Sequence, residues 1–111
     1  MDHEQIARIC HEANKAYCEA LGDNTQLHWC GAPEWQKKSA IDGVKNVLEK
    51  SLTPKESHQA WLDLKMLDGW RYGPVKCPIK KEHPCFVPYD HLPEAQKLKD
   101  KLFVAICQVC S

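Results

Sequence analysis

The sequence lacks a surplus of positive charge, a long apolar run and a glycine-rich loop. Lysine and arginine together number 15, as do aspartate and glutamate, and the formal net charge is therefore zero. Because a protein that coats nucleic acid needs basic residues in excess to neutralise phosphates, we do not expect general nucleic-acid binding. No apolar stretch approaches the roughly 18 residues of a membrane span, so we expect no membrane partner. Neither a P-loop nor a dinucleotide-binding fingerprint is present.

The amino-terminal residues, MDHEQIARIC, lack the basic start and apolar centre of a secretory signal peptide. We therefore expect the protein to be cytoplasmic. The seven cysteines cannot all pair within one chain, because their number is odd. In a reducing compartment they are interpreted mainly as free thiols.

The length of 111 residues suits one modest core, so residues 1–111 are treated as a single domain. Apolar residues recur at three- and four-residue steps, which predicts four helices. These cover residues 3–21, a stretch that begins at 33, residues 54–67 and residues 93–109. The predicted apolar faces are Ile6, Ile9, Cys10, Ala13, Tyr17, Ala20 and Leu21 in the first helix, Ala40, Ile41, Val44, Val47 and Leu48 in the second, and Ala95, Leu98, Leu102, Ala105, Ile106 and Val109 in the fourth.

Local signals mark the helix ends and one weak point. Thr53 and Glu56 fit a capping box at the start of the third helix, and Gly69 stands where the chain should leave that helix. Gly43 weakens the second helix by about 1 kcal/mol relative to alanine, unless close packing requires a glycine there.

Residues 70–92 have a different character, because Pro74, Pro78, Pro84 and Pro88 alternate with aromatic residues. Apolar and polar residues alternate only over very short stretches, so we predict irregular backbone with a short β-hairpin or bridge. The sequence therefore predicts a mainly α-helical domain of about four helices, with a proline-rich loop between the third and fourth.

Metal and nucleophile chemistry have little support. Zinc-type ligands occur together in the loop, namely Cys77, His83, Cys85 and His91, but their spacing matches no standard zinc module. Cys107 and Cys110 have a suitable spacing, yet they lie beside the core face of a helix, where free cysteine is a common packing residue. No cysteine has a recognisable nucleophile context. We therefore predict no metal, no cofactor and no catalytic residue.

Aromatic and basic residues are interleaved around the loop and favour binding over chemistry. The aromatic residues are Trp35, Trp61, Trp70, Tyr72 and Tyr89, and the basic ones are Arg71, Lys76, Lys80, Lys81 and His83. Aromatic faces stack flat rings and cationic side chains neutralise phosphate, which suits a nucleotide-like ligand. The alternative is a core role, which is favoured for Trp61 and Trp70. For Tyr72, His83 and Tyr89 the pattern does not decide between the two roles.

Several motifs together resemble the RyR domain, the module named from the repeats of ryanodine receptors and also found alone in bacterial and phage proteins. The central motif is GWRYGPVK at residues 69–76, and the other matching stretches are residues 11–14, 17–18, 33–36, 41–44, 57–61, 83–85 and 87–93. The resemblance spans roughly residues 6–106 and is that of the short stand-alone type. One departure is Cys77, since family members tend to carry an acidic residue there.

The resemblance implies a mainly helical fold with short β elements and no enzymatic activity. It also implies a sensor of nucleotide-derived signals, such as an ADP-ribose derivative or cyclic nucleotide, which a stand-alone copy could sequester. The ligand-binding candidates are Trp35, His58, Trp61, Arg71, Tyr72, Lys76, His83 and Tyr89. Aromatic rings would stack the base, Arg71 and Lys76 would meet phosphate, and the two histidines would bond ribose or phosphate oxygens.

Two other functions remain open at this point. The first alternative is a protein–protein adaptor without a small-molecule ligand, by analogy with the large vertebrate assemblies. The second is an enzyme that cleaves the same ligand class with a histidine, for which no matched acid–base pair is visible. A homodimer is expected, because a sequestering pocket could lie at a two-fold interface.

Overall fold

A computed structural model describes all 111 residues. The chain forms four α-helices, α1 (His3–Ala20), α2 (Glu34–Lys50), α3 (Pro54–Leu67) and α4 (Glu94–Cys110). Short 3-10 turns at Trp29–Gly31 and Tyr89–His91 precede α2 and α4, and two strands, β1 (Arg71–Tyr72) and β2 (Glu82–His83), lie between α3 and α4. The prediction of a mainly helical, four-helix domain with a short β element in this loop is confirmed. None of the helices has the length and apolar character needed to cross a bilayer.

Capping groups explain where the helices begin. The Thr53 hydroxyl accepts a hydrogen bond from the Glu56 backbone N–H at 3.2 Å, and the Glu56 carboxylate accepts one from the Thr53 N–H at 3.0 Å. This reciprocal pair is the predicted capping box, and it satisfies two N–H groups that would otherwise be unpaired. Pro33 is the residue before α2 rather than its first helical residue. Its fixed φ still orients the chain into the helix.

The core lies where α1, α2 and α4 meet. Its fully buried members are Ile6, Ala7, Cys10, Trp29, Val44, Val47, Val104 and Cys107. Gly43 allows α2 to approach α4 closely, because a Cβ atom at this position would lie 3.2 Å from Cζ of Phe103. Close packing therefore accounts for a glycine in the middle of a helix. All seven cysteines are free thiols, as predicted, and Cys10, Cys18 and Cys107 are buried.

The predicted apolar faces of α1 and α4 are wrong at several positions. In α1, Ile9 and Leu21 are 37% and 55% exposed, and Ala20 is also exposed, while Ala7 and Cys18 are buried. The reason is that α1 packs against both α2 and α4, so its buried face is centred on Ile6, Ala7 and Cys10.

The same error occurs in α4. Leu98, Ala105 and Val109 are exposed, and Val104 and Cys107 are buried instead. Val104 and Cys107 are one helical turn apart and belong to the cluster shared with α1 and α2. The periodicity predicted the helix correctly. The face that it predicted to be buried is rotated about the helix axis relative to the face that contacts α1 and α2.

The two short strands pair in parallel, with Arg71 opposite Glu82 and Tyr72 opposite His83. The predicted hairpin is therefore wrong in strand direction. The chain reverses once before Cys77, which forms an antiparallel bridge with Glu82, and again at residues 78–81. Lys81 completes the second reversal with a φ of 54°. Two reversals return the chain alongside β1 in its original direction.

Candidate ligand-binding cavity

A cavity of about 330 Å³ lies between the four helices and the loop that carries β1 and β2. The loop covers one side of it, because the His58 Nε2–H group on α3 donates to the Val87 carbonyl at 2.8 Å. The Tyr17 hydroxyl donates to the Ala95 carbonyl at 3.0 Å and connects α1 to the start of α4. The volume is within the range of small-molecule sites.

Aromatic rings form much of the cavity wall. Trp35 comes from the first turn of α2, Trp61 from α3, and Trp70 directly follows the turn at the end of α3. The centroids of the Trp35 and Trp70 rings lie 5.9 Å apart with an interplanar angle of 46°. Trp70 is only 7% exposed but contributes to the cavity surface. Trp70 is therefore buried, as its favoured core role predicted, and its ring also lines the cavity.

Three lysines contribute to the same cavity, namely Lys65 from α3, Lys76 from the loop and Lys99 from α4. Lys65 Nζ lies 5.1 Å from the centroid of Trp35 and 5.3 Å from that of Trp70, and Lys76 Nζ lies 5.9 Å from that of Trp35. None of the three forms a salt bridge with the protein. Residue Lys76 as a whole is exposed, but its ammonium lies over an aromatic ring.

Burial lowers the pKa of both Lys65 and Lys76. The charge of Lys99 lowers the pKa of Lys76 further, whereas Asp23 opposes the shift; for Lys65, Asp68 opposes the shift and Lys76 adds to it. Partly desolvated ammonium groups that repel one another and form no salt bridge raise the electrostatic free energy of the cavity. An anion in the cavity would lower this free energy, because its charge would offset that of the ammonium groups.

Two of the three histidines that line the cavity, His83 and His58, are held by different contacts. The Cys85 backbone N–H donates to His83 Nδ1 at 3.0 Å, and the His83 ring lies against Trp61 with centroids 5.2 Å apart. Burial is the main reason that the pKa of His83 is lowered to about 4, and the positive charges of Lys76, Lys99 and Lys65 contribute to the same shift. The His83 ring is therefore neutral at physiological pH.

His58 is buried and contacts the one carboxylate that lines the cavity. Its Nδ1 lies 3.7 Å from Asp100 Oδ2, and its ring stacks on Trp61 with centroids 5.6 Å apart. Burial raises the pKa of Asp100 to about 6, although His58 and Lys99 oppose that shift. Asp100 therefore offsets less of the cavity's positive charge than an exposed aspartate would.

Of the eight residues proposed from the sequence, five line this one cavity: Trp35, His58, Trp61, Lys76 and His83. The other three lie outside it. The Arg71 guanidinium pairs with the Glu82 carboxylate at 3.1 Å, and Tyr72 is 57% exposed beside it. Tyr89 packs against His58 with centroids 6.1 Å apart, and Lys97 lies over its ring.

Sequence reasoning missed three cavity residues with charged side chains, which are Lys65, Lys99 and Asp100. Lys65 could have been found, because it follows Trp61 by four positions on a predicted helix and therefore shares its face. Lys99 and Asp100 carried no such signal, since they lie on α4 and reach the cavity only through packing. The metal candidates Cys77, His83, Cys85 and His91 do not converge, and no cluster of three or more His, Cys, Asp or Glu residues could hold a metal ion.

Fold and cavity together define a small helical domain with one loop-covered pocket walled by tryptophans. The family model of the RyR domain matches residues 36–106, nearly two thirds of the chain, and the protein belongs to this family. The match includes the GWRYGPVK motif, α3, the loop and most of α2 and α4. Four of the five sequence-proposed cavity residues fall within it, and Trp35 lies one residue before it.

Proposed function

We propose that the protein binds a nucleotide-derived anion in this cavity, such as an ADP-ribose derivative or a cyclic nucleotide, and does not convert it. The observation that supports this most strongly is the convergence of three lysines without carboxylate partners on a cavity walled by tryptophans. Phosphate oxygens would pair with the ammonium groups, and an aromatic base would pack on the indole rings. Groups suited to contact both the phosphate and the base of a nucleotide thus line the same cavity.

The size of the cavity limits the ligand. A volume of about 330 Å³ lies at the lower end of the usual range for small-molecule sites. It suits one base with its sugar and phosphate better than a long oligonucleotide. Larger ligands would extend past the exposed edge of Trp35, which is 40% exposed.

We further propose that the protein acts by sequestration and is of the short bacterial or phage type. The motifs at residues 11–14 and 17–18, which precede the matched range, support that type. Binding without turnover lowers the free concentration of a signal. A homodimer with two such cavities would sequester two molecules, and analytical ultracentrifugation with and without ligand would measure the stoichiometry.

Thermal unfolding tests the proposed function directly. The protein is melted in reducing buffer with ADP-ribose, cyclic ADP-ribose, NAD, cyclic mononucleotides and cyclic dinucleotides. A ligand at about 100 times its Kd adds roughly 2.7 kcal/mol, which raises Tm by several degrees in a domain of this size. Chromatography of the recovered ligand then distinguishes binding from turnover. A folded protein that shows no shift with any of these compounds would contradict the proposal.

A protein–protein adaptor is the second candidate, and one observation favours it. Large apolar side chains are exposed at the end of α3 and in the loop, with Leu67 at 87%, Val75 at 71% and Ile79 at 95%. If none of the nucleotides raises Tm, Leu67→Ser and Ile79→Ser variants provide the test. Loss of a partner that the wild-type protein binds at a defined stoichiometry would establish this function instead.

A further inference from the structure

His83 has a fixed tautomer. A backbone N–H can only donate, so the contact from Cys85 N at 3.0 Å requires His83 Nδ1 to accept and to carry no proton. In the neutral ring the single proton is then on Nε2. Protonating Nδ1 as well would break the contact with Cys85.

The charges around the ring also oppose a second proton. Lys65 and His58 face it from α3, Lys76 from the loop and Lys99 from α4, and all four lower the pKa of His83. The nearby carboxylates are engaged elsewhere, since Asp100 lies 3.7 Å from His58 Nδ1 and Glu82 pairs with Arg71. His83 is therefore a neutral ring in a cationic environment.

The Nε2–H group of His83 has no acceptor within the protein, whereas the ring lines the cavity. Its aromatic neighbours are Trp61 at 5.2 Å and Trp70 at 6.4 Å between centroids. Lys65 lies over Trp35 and Trp70, and Lys76 lies over Trp35. No ammonium lies over the ring of Trp61. The Trp61 ring thus carries no ammonium on its face, which leaves it free to pack against an uncharged base.

We propose that His83 is a neutral hydrogen-bond donor that selects ligands by an uncharged acceptor on the aromatic base, a ring nitrogen or a carbonyl oxygen. This inference rests on the proposed function, because it assumes that a base packs beside Trp61. Phosphate oxygens are better matched by the three lysines, whose donors are charged. When a ligand displaces water from this donor, a ligand with an acceptor at that point keeps the hydrogen bond and is favoured over one without an acceptor.

The first experiment needs no ligand. Nitrogen-15 NMR of histidine-labelled protein identifies the tautomer of His83, with a His83→Gln variant to assign the signals. We expect the proton on Nε2 and no titration of the ring between about pH 5.5 and about pH 8. A proton on Nδ1, or a ring that becomes charged within that range, would overturn the proposal even if nucleotides bind.

The second experiment uses ADP-ribose, its 1-deaza and 7-deaza adenine analogues, and inorganic pyrophosphate. In each deaza analogue a ring nitrogen is replaced by CH, so an acceptor is lost while charge and shape are kept. We expect His83→Phe to weaken ADP-ribose binding about tenfold, the value of one hydrogen bond, and to leave pyrophosphate binding unchanged. With wild-type protein, one of the two deaza analogues should bind about tenfold more weakly than ADP-ribose. The same analogue should bind wild type and His83→Phe with equal affinity. His83→Gln, which keeps an N–H donor, should recover part of the affinity.

The outcomes separate the two proposals. Equal losses for ADP-ribose and pyrophosphate in His83→Phe would make His83 a phosphate contact, and unchanged ADP-ribose affinity would make it a structural residue; either result overturns the inference. Retained pyrophosphate binding shows that the variant is folded. If wild-type protein binds none of the nucleotides in the thermal panel, the proposed function fails and the acceptor assignment fails with it, whatever tautomer the NMR spectrum shows.

Discussion

The indole of Trp35 lies 5.9 Å from the indole of Trp70, which brings the first turn of α2 against the residue that follows α3. Lys65 lies within cation–π distance of both rings. This arrangement puts a positive charge on an aromatic surface without a carboxylate to neutralise it.

Replacing Lys65 by methionine should separate ligand binding from stability. The variant loses a cation–π contact but also loses a partly desolvated charge that repels Lys76, so the free energy of unfolding should change by less than about 1 kcal/mol. Affinity for a phosphate-bearing ligand should fall at least tenfold, because a charged hydrogen bond contributes about 1.5–3 kcal/mol. Urea unfolding and calorimetric titration measure the two effects. Lys101→Met, an exposed position on α4, is the matched control and should change neither. A large loss of stability in Lys65→Met would mean that the lysine serves the fold.

His58 should matter for the fold whatever the ligand. Its ring is 4% exposed, and its Nε2–H donates to the Val87 carbonyl. His58→Ala leaves that carbonyl without its partner and opens a void next to Trp61, so we expect a loss of about 2–4 kcal/mol in urea unfolding. His91→Ala, at an exposed position, should cost less than about 0.5 kcal/mol. Similar stability of the two variants would show that the loop does not depend on the His58 contact.

Gly43 and Phe103 should show strong coupling. In Gly43→Ala the new Cβ meets Phe103 Cζ at 3.2 Å, so crowding should outweigh the helix-propensity gain of about 1 kcal/mol. We expect the single variant to be destabilised by about 1 kcal/mol. In a Phe103→Leu background the same change should become neutral or stabilising, since the crowded ring atom is absent. A double-mutant cycle measures this coupling, and additive effects would contradict the packing explanation.

Asp100 should make stability fall as pH rises through the acidic range. Its folded pKa, about 6, is above the ordinary value of 3.8, so between these values the folded state holds a proton that the unfolded state has released. The Asp100 contribution to stability is therefore full below about pH 4 and is lost as pH approaches and passes 6. The contribution of His83 to stability changes with pH in the opposite direction, because its pKa is lowered from 6.5 to about 4 in the folded state. Its contribution is lost as pH falls.

The variant Asp100→Asn isolates the carboxyl from the histidine. Its Tm minus that of wild type should increase between about pH 4 and about pH 7, since only wild type then acquires a buried negative charge. Asp63→Asn, at an exposed position on α3, provides the control for a change of net charge. A difference in Tm that stays constant with pH would show that Asp100 is not the group that titrates.

The cavity was only partly predictable from the sequence. His58, Trp61 and Lys65 follow one another at three- and four-residue steps on α3, so helical geometry alone puts them on one face. The interleaving of aromatic and basic residues selected Trp35, Lys76 and His83 as ligand contacts, and these three residues line the cavity. It also selected Arg71 and Tyr72, which the parallel pairing of β1 and β2 leaves outside the cavity. Alternation over two residues cannot indicate which side of such a short strand faces the protein.

By itself the sequence determined the four helices, the capping box at Thr53 and the membership in a family whose central motif is GWRYGPVK. These features depend on short-range effects, namely the 3.6-residue period, backbone N–H groups that need caps, and prolines and glycines that end helices. Only the tertiary structure decided that Lys65, Lys76 and Lys99 converge on one cavity and that the Cys85 N–H donates to His83 Nδ1. Both depend on contacts between α3, α4 and the loop, which are distant in the chain and are set by how the helices pack.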